Sequence, residues 1–178
     1  DLVERNRRRN GPIFSIYEEY NGNIFQSKFE LYNKNFWNRD ENKQLASYAR
    51  NKLKGFINQK FNLEETFDIE KWAFLFALAD LTYTHHGLAA NNVKFYYNPI
   101  SGLFEPIPYD GHRIARNYNK DLKNFDHKNT LEVAETCTNK ELCENPEEIE
   151  AKWLHQFFFD REGNLNLNFY SQYVKSIR

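Results

Sequence analysis

Residues 69–81, IEKWAFLFALADL, constrain the fold more than any other stretch. Wound as a helix, this segment is apolar on almost every side, so it has to sit centrally with other elements packed round it. Asp68, just before it, has the short acceptor side chain of an N-cap. Covering such a helix takes a core, and 178 residues are enough for one domain of ordinary size. The apolar mass is aromatic: 16 Phe, 11 Tyr and 3 Trp can pack a core even though mean hydropathy is −0.83. No run of about 18 apolar residues occurs, so no membrane span is expected.

The elements around that helix read as follows. Residues 1–9 are polar and helical in pattern, and Gly11-Pro12 breaks them. IFSIY (13–17) and NIFQSKFELY (23–32) flank Asn21-Gly22, a strong hairpin signal. In residues 41–59, Leu45, Tyr48, Ala49, Leu53, Phe56 and Ile57 recur at helical spacing on one face. VKFYY (93–97) and LFEPIP (103–108) form a second hairpin about the turn NPISG (98–102). Residues 116–129 are polar, a loop or short helix. Asn145-Pro146 opens a further helix through EEIEAKWLHQFFF, and residues 165–178 read as helical too. The order predicts an α+β fold with the second hairpin packed on a mainly helical body.

Charge excludes one class of partner. There are 24 basic and 25 acidic residues, a net charge of −1, so there is no overall positive field to displace counterions from nucleic acid. The run Arg5 to Arg9 reads as a solvated face. Cys137 and Cys143 are either a local disulfide, which implies an oxidising, extracytoplasmic setting, or two unrelated free thiols. No second Cys/His pair has zinc spacing. Asp1 stands in what reads as mid-helix and Arg178 carries no closing signal, as in a fragment or processed chain.

The chemistry gathers at the open end of the second hairpin. With its turn centred near position 101, opposed residues sum to 202, which pairs Asn92 with Asp110. Opposed residues lie about 5 Å apart at Cα, within reach of one shared cation. An amide oxygen and a carboxylate are hard ligands that suit Mg²⁺ or Mn²⁺ rather than zinc. Gly111 lets the backbone turn sharply after the carboxylate. Asn and Asp at strand ends are also common turn formers and caps, and spacing alone does not separate the two roles.

The flanking residues add a pattern. Protein kinases place a metal-binding Asn at the end of H-R-D-L-x-x-x-N and a metal-binding Asp in D-F-G, at the two ends of a short hairpin that follows a buried helix. Here His85-His86-Gly87-Leu88-Ala89-Ala90-Asn91-Asn92 and Asp110-Gly111-His112 stand in those places. With them come the aromatic strand Phe95 to Tyr97, the turn residues Asn98, Pro99 and Gly102, the run Pro108-Tyr109-Asp110, and RRRNGPIF upstream. In these features the chain resembles the spore-coat protein H (CotH) kinase family, an atypical branch of the protein-kinase-like fold. The resemblance covers most of the chain and is strongest over residues 68–113.

The resemblance implies a single domain over 1–178, with a remnant of the small β lobe and hinge in 1–35 and the helical large lobe in 36–178. It implies ATP as cofactor, with Mg²⁺ or Mn²⁺ held by Asn92 and Asp110, and phosphoryl transfer to a protein hydroxyl. The family's acidic base lies five residues before the metal Asn, and here that position is Gly87. Glycine can neither accept a proton nor orient a hydroxyl. His86 is the neighbouring substitute base, and alternatively the His85-His86 pair holds the loop by hydrogen bonds. Asp80 reads as a solvated or capping residue, and Glu4 as the candidate acidic partner of an ATP lysine lying before residue 1. The sequence has no G-x-G-x-x-G, G-K-[ST] or G-x-S-x-G motif to suggest a P-loop or serine-hydrolase alternative. Besides an active kinase, two readings stay open: a pseudokinase-like module bound to a coat or cell-surface partner, and a structural domain whose hairpin matches by chance.

Overall fold

In the computed structural model, the described residues are 11–17, 28–58, 60–82, 84–88, 92–109, 130–131, 154–160 and 162–178; for 16, 17, 28, 85 and 86 only the backbone is described. Several expectations lie outside them: Glu4, the Arg5 to Arg9 run, the Asn21-Gly22 turn, Asp110 to His112, residues 116–129, Cys137, Cys143 and the Asn145-Pro146 helix start.

The fold is α+β. Four antiparallel strands, β1 (Ile13–Tyr17), β2 (Lys28–Leu31), β3 (Lys94–Asn98) and β4 (Leu103–Ile107), form one sheet in the order β2-β1-β3-β4. The two hairpins are therefore joined, by β1 pairing with β3, and the sheet draws strands from both sides of position 35. Alternation makes its inner face: Phe14, Leu31, Phe95 and Phe104 are buried, while Ser15, Glu30 and Lys94 share the outer face. Gly11 is needed where the chain enters β1. A side chain there would place its Cβ 1.8 Å from the Tyr97 carbonyl oxygen, and the next residue's carbonyl accepts Tyr97 N–H at 2.9 Å.

Six helices are described: α1 (Lys34–Trp37), α2 (Asp40–Ile57), α3 (Leu63–Thr66), α4 (Ile69–Thr82), α5 (His155–Phe158) and α6 (Leu167–Ile177). The central segment forms α4 as its pattern predicts, and Asp68 caps it by accepting from Lys71 N–H at 3.3 Å. The start of α4 is fixed to the sheet edge. The Phe104 carbonyl of β4 accepts from Asp68 N–H at 3.0 Å and from the Trp72 indole at 2.8 Å. Pro106 fits because β4 is an edge strand. Burial of α4 is one-sided rather than all-round. Trp72, Ala73, Phe76 and Ala77 are fully buried, but Phe74, Leu78 and Leu81 form an exposed stripe. The buried side of α2 is largely the expected one: Ala49 and Leu53 are inside with Ala46 and Gly55, and Leu45 and Phe56 pack against the core, whereas Tyr48 is 60% exposed. Among the described residues, no helix is long and apolar enough to cross a membrane.

Phe67 joins the layers. Its ring lies 4.8 Å from Phe56 of α2, 5.5 Å from Trp72 of α4, 6.1 Å from Phe104 of β4 and 5.1 Å from Phe157 of α5, centroid to centroid. Edge and tilted ring pairs at these separations stabilise beyond the area they bury.

Candidate functional site

The hairpin turn fixes the register, and with it what the open end can bring together. Asn98 belongs to β3 and lies opposite Leu103, so the loop is four residues, 99–102. Asn98 Oδ1 accepts Ile100 N–H at 2.9 Å, and its carbonyl accepts Gly102 N–H at 2.8 Å. Gly102 closes the turn at φ 70, in the left-handed region that glycine adopts without strain. Every opposed pair, from Asn98 with Leu103 to Lys94 with Ile107, sums to 201. That is one less than the sum of 202 expected from the sequence. The last observed pair is Lys94 with Ile107; Asp110 lies outside the described residues.

The segment expected to be a polar loop before β3 begins as a 3₁₀ turn, His85–Leu88. Helix α4 ends just before it: Thr82 Oγ1 donates to the Leu78 carbonyl at 2.6 Å, and Thr84 N–H to the Ala79 carbonyl at 3.0 Å. The Thr84 carbonyl then accepts Gly87 N–H at 2.9 Å. Gly87 and Leu88 are buried. Gly87 thus puts neither a side chain nor a free N–H at the base position. Asn92, four residues beyond this turn, is 8% exposed, one of three buried polar side chains among the described residues, with Thr66 and Thr130. The side chain of His86 and all of Asp110 lie outside the described residues.

Lys94, two residues after Asn92, adds a positive charge. Burial lowers the pKa of its ammonium, and Nζ sits 5.5 Å from the centre of the Tyr109 ring. Among the described residues no three His, Cys, Asp or Glu side chains gather to hold a metal ion.

Asp80 corrects another expectation. It is neither solvated nor a cap. Its Oδ1 accepts Thr130 N–H at 3.0 Å, its Oδ2 accepts the Thr130 hydroxyl at 2.9 Å, and Oδ2 also accepts the Tyr173 hydroxyl. One carboxylate thereby ties α4 to residue 130 and to α6. Only its side of the helix was legible in the sequence: Asp80 lies four residues after Phe76 and seven after Ala73, both buried.

A second polar group braces β4. The Lys71 ammonium lies 2.8 Å from both Asp68 and Glu105, and Glu105 accepts from Asn98 Nδ2 at 2.7 Å. Hydrogen bonds to Asp68 and then Glu105 raise the Lys71 pKa above its ordinary value.

Set against protein-family models, curated proteins and solved structures, the chain matches none.

Proposed function

We propose that this chain is a kinase-like domain of the CotH type that takes Mg-ATP, or Mn-ATP, at the mouth of the β3–β4 hairpin, and whose phosphoryl transfer is impaired. Asn92 and Asp110 would hold the metal, which bridges and neutralises the phosphates when bound. Lys94, on the same strand end, favours an anionic ligand there. The observation that carries the impairment is Gly87, buried in the 3₁₀ turn with its N–H given to the Thr84 carbonyl. A placed base contributes roughly 10²–10⁴-fold to rate. Without one, metal and positioning remain, and the acceptor hydroxyl loses the group that takes its proton. The same observation favours the second reading, a nucleotide-binding pseudokinase module in a coat or cell-surface assembly that recognises a protein partner.

The test uses the full chain. Mg-ATP binding is measured by calorimetry and self-phosphorylation with labelled ATP, for the wild type, Asn92→Ala, Asp110→Ala and Gly87→Asp. Binding that is lost in both alanine variants, with transfer rising in Gly87→Asp, supports the impaired kinase. Binding without transfer in any variant supports the pseudokinase. Absence of Mg-ATP and Mn-ATP binding in the wild type rejects both.

A further inference from the structure

At the closed end of the hairpin, away from Asn92, lies a cleft of about 630 Å³ formed by the second half of α2 and the chain leading into α3. Its size falls in the range of small-molecule sites, about 300–1,000 Å³. Two features of its lining converge on one ligand chemistry.

The first is charge. Lys52, Lys54 and Lys60 all line the cleft, against one carboxylate, Glu65. That carboxylate is already engaged, accepting from Asn62 N–H at 2.9 Å in the cap of α3. Elsewhere the lysines Lys34, Lys43 and Lys71 each meet a carboxylate at 2.6–2.8 Å. Among the described residues no carboxylate comes within ion-pairing distance of the three cleft lysines. Lys52 instead donates to the Gly102 carbonyl at 2.5 Å, and burial lowers its pKa against the weaker opposing pull of the Glu65 charge. Lysine ammoniums are point-charge phosphate binders, and three of them suit a doubly charged group.

The second is the aromatic wall. Tyr48 and Phe61 line the same cleft and are 60% and 38% exposed. The Phe61 ring lies against Gly55, where an added Cβ would come within 2.3 Å of it. The missing side chain therefore sets where this wall stands.

We infer that this cleft is a second binding site, for an organic phosphate that carries a planar apolar group. The phosphate meets the lysines and the apolar group lies along Tyr48 and Phe61. The site is independent of the proposed Mg-ATP site, and needs no metal.

Phenyl phosphate is the probe, titrated into the full chain without Mg²⁺ while the ring resonances of Tyr48 and Phe61 are followed by NMR. Inorganic phosphate and phenol are the comparison ligands. The expected result is saturable shifts with phenyl phosphate, and weaker binding of either comparison ligand. The double variant Lys54→Gln/Lys60→Gln changes two exposed side chains, and should raise Kd roughly tenfold or more. Gly55→Ala, which displaces the Phe61 ring, should weaken phenyl phosphate and leave inorganic phosphate unchanged. Asp110→Ala should leave the titration unaltered, which separates this site from the hairpin mouth. No saturation in the wild type overturns the inference, as does an unchanged Kd in the lysine variant. Phenol binding as tightly as phenyl phosphate overturns the anion requirement, and inorganic phosphate doing so overturns the aromatic one.

Discussion

Asp80 shows how much one side chain can hold. Thr130 is fully buried and gives both its N–H and its hydroxyl to this carboxylate, which also accepts the Tyr173 hydroxyl. Removing the acceptor leaves buried donors unpaired, at about 1–3 kcal/mol for each such group. Asp80→Ala should therefore destabilise by roughly 2–4 kcal/mol, and Tyr173→Phe by about 1 kcal/mol. The double variant should cost less than the two together, because both remove the same bond. Urea unfolding of the four proteins checks this; strict additivity would mean that the Tyr173 contact contributes nothing. Gly11 is constrained by space instead. The atom that an added Cβ meets at 1.8 Å is a backbone oxygen within β3, which cannot swing aside. Gly11→Ala should lower stability by about 1–3 kcal/mol, the usual cost of overpacking, and a urea midpoint equal to the wild type's would contradict it.

Among the elements, the turns follow from side chains that accept from their own backbone. Asp160 organises the turn between Phe159 and Leu165, which form a bridge. Its Oδ1 accepts the N–H groups of Glu162 and Asn164, each at 2.9 Å. The Asn164 N–H bond is the main cause that lowers its pKa below the ordinary 3.8. A depressed carboxylate contributes stability that is present above the unfolded value and lost as pH falls through the folded one. Asp160 should thus stay ionised at pH 3.8, and the amide resonances of Glu162 and Asn164 should move together only at lower pH. A carboxyl titration at or above 3.8 would remove the claim. The same local logic explains what the sequence made legible. Both hairpins, α2, α4 with its Asp68 cap, and α6 follow from period and turn chemistry. The register of the hairpin that carries the candidate site differs by one from the sequence expectation. Asn98 was counted in the turn, but its pairing with Leu103 and its acceptance of Ile100 N–H put it in β3. The loop is 99–102, so its centre falls half a residue before the expected 101, and opposed residues sum to 201 rather than 202. Asp80 was misread for a different reason: its partners lie 50 and 93 residues away, beyond what local pattern can place. Which side of α4 is covered was hidden likewise, since on a largely apolar helix that depends on what packs against it.

At the scale of the molecule, the question is whether the chain divides near position 35, as a small-lobe remnant and a helical lobe would suggest. The sheet argues for dependence across that point. β1 pairs with β3 through Ile13 with Tyr96, Phe14 with Phe95 and Ser15 with Lys94, and Pro12 accepts the Tyr97 N–H. Removing residues 1–35 would leave β3 with an unpaired edge and take Phe14, at 0% exposure, and Leu31, at 3%, out of the core. Phe14 also sets its ring 6.1 Å from Phe104, the residue whose carbonyl anchors the start of α4. Losing two buried side chains of this size costs about 5–10 kcal/mol, which is comparable to the whole stability of a typical domain, about 5–15 kcal/mol. The fragment 36–178 should therefore show no cooperative urea transition by far-UV circular dichroism, while the full chain shows one in which Trp fluorescence and circular dichroism coincide. The Trp72 indole makes this readout sensitive, because its N–H bond to Phe104 reports on the junction of α4 with the sheet. A cooperative transition in 36–178 would show that the helical part folds alone, and that the β1–β3 pairing adds to a lobe already formed.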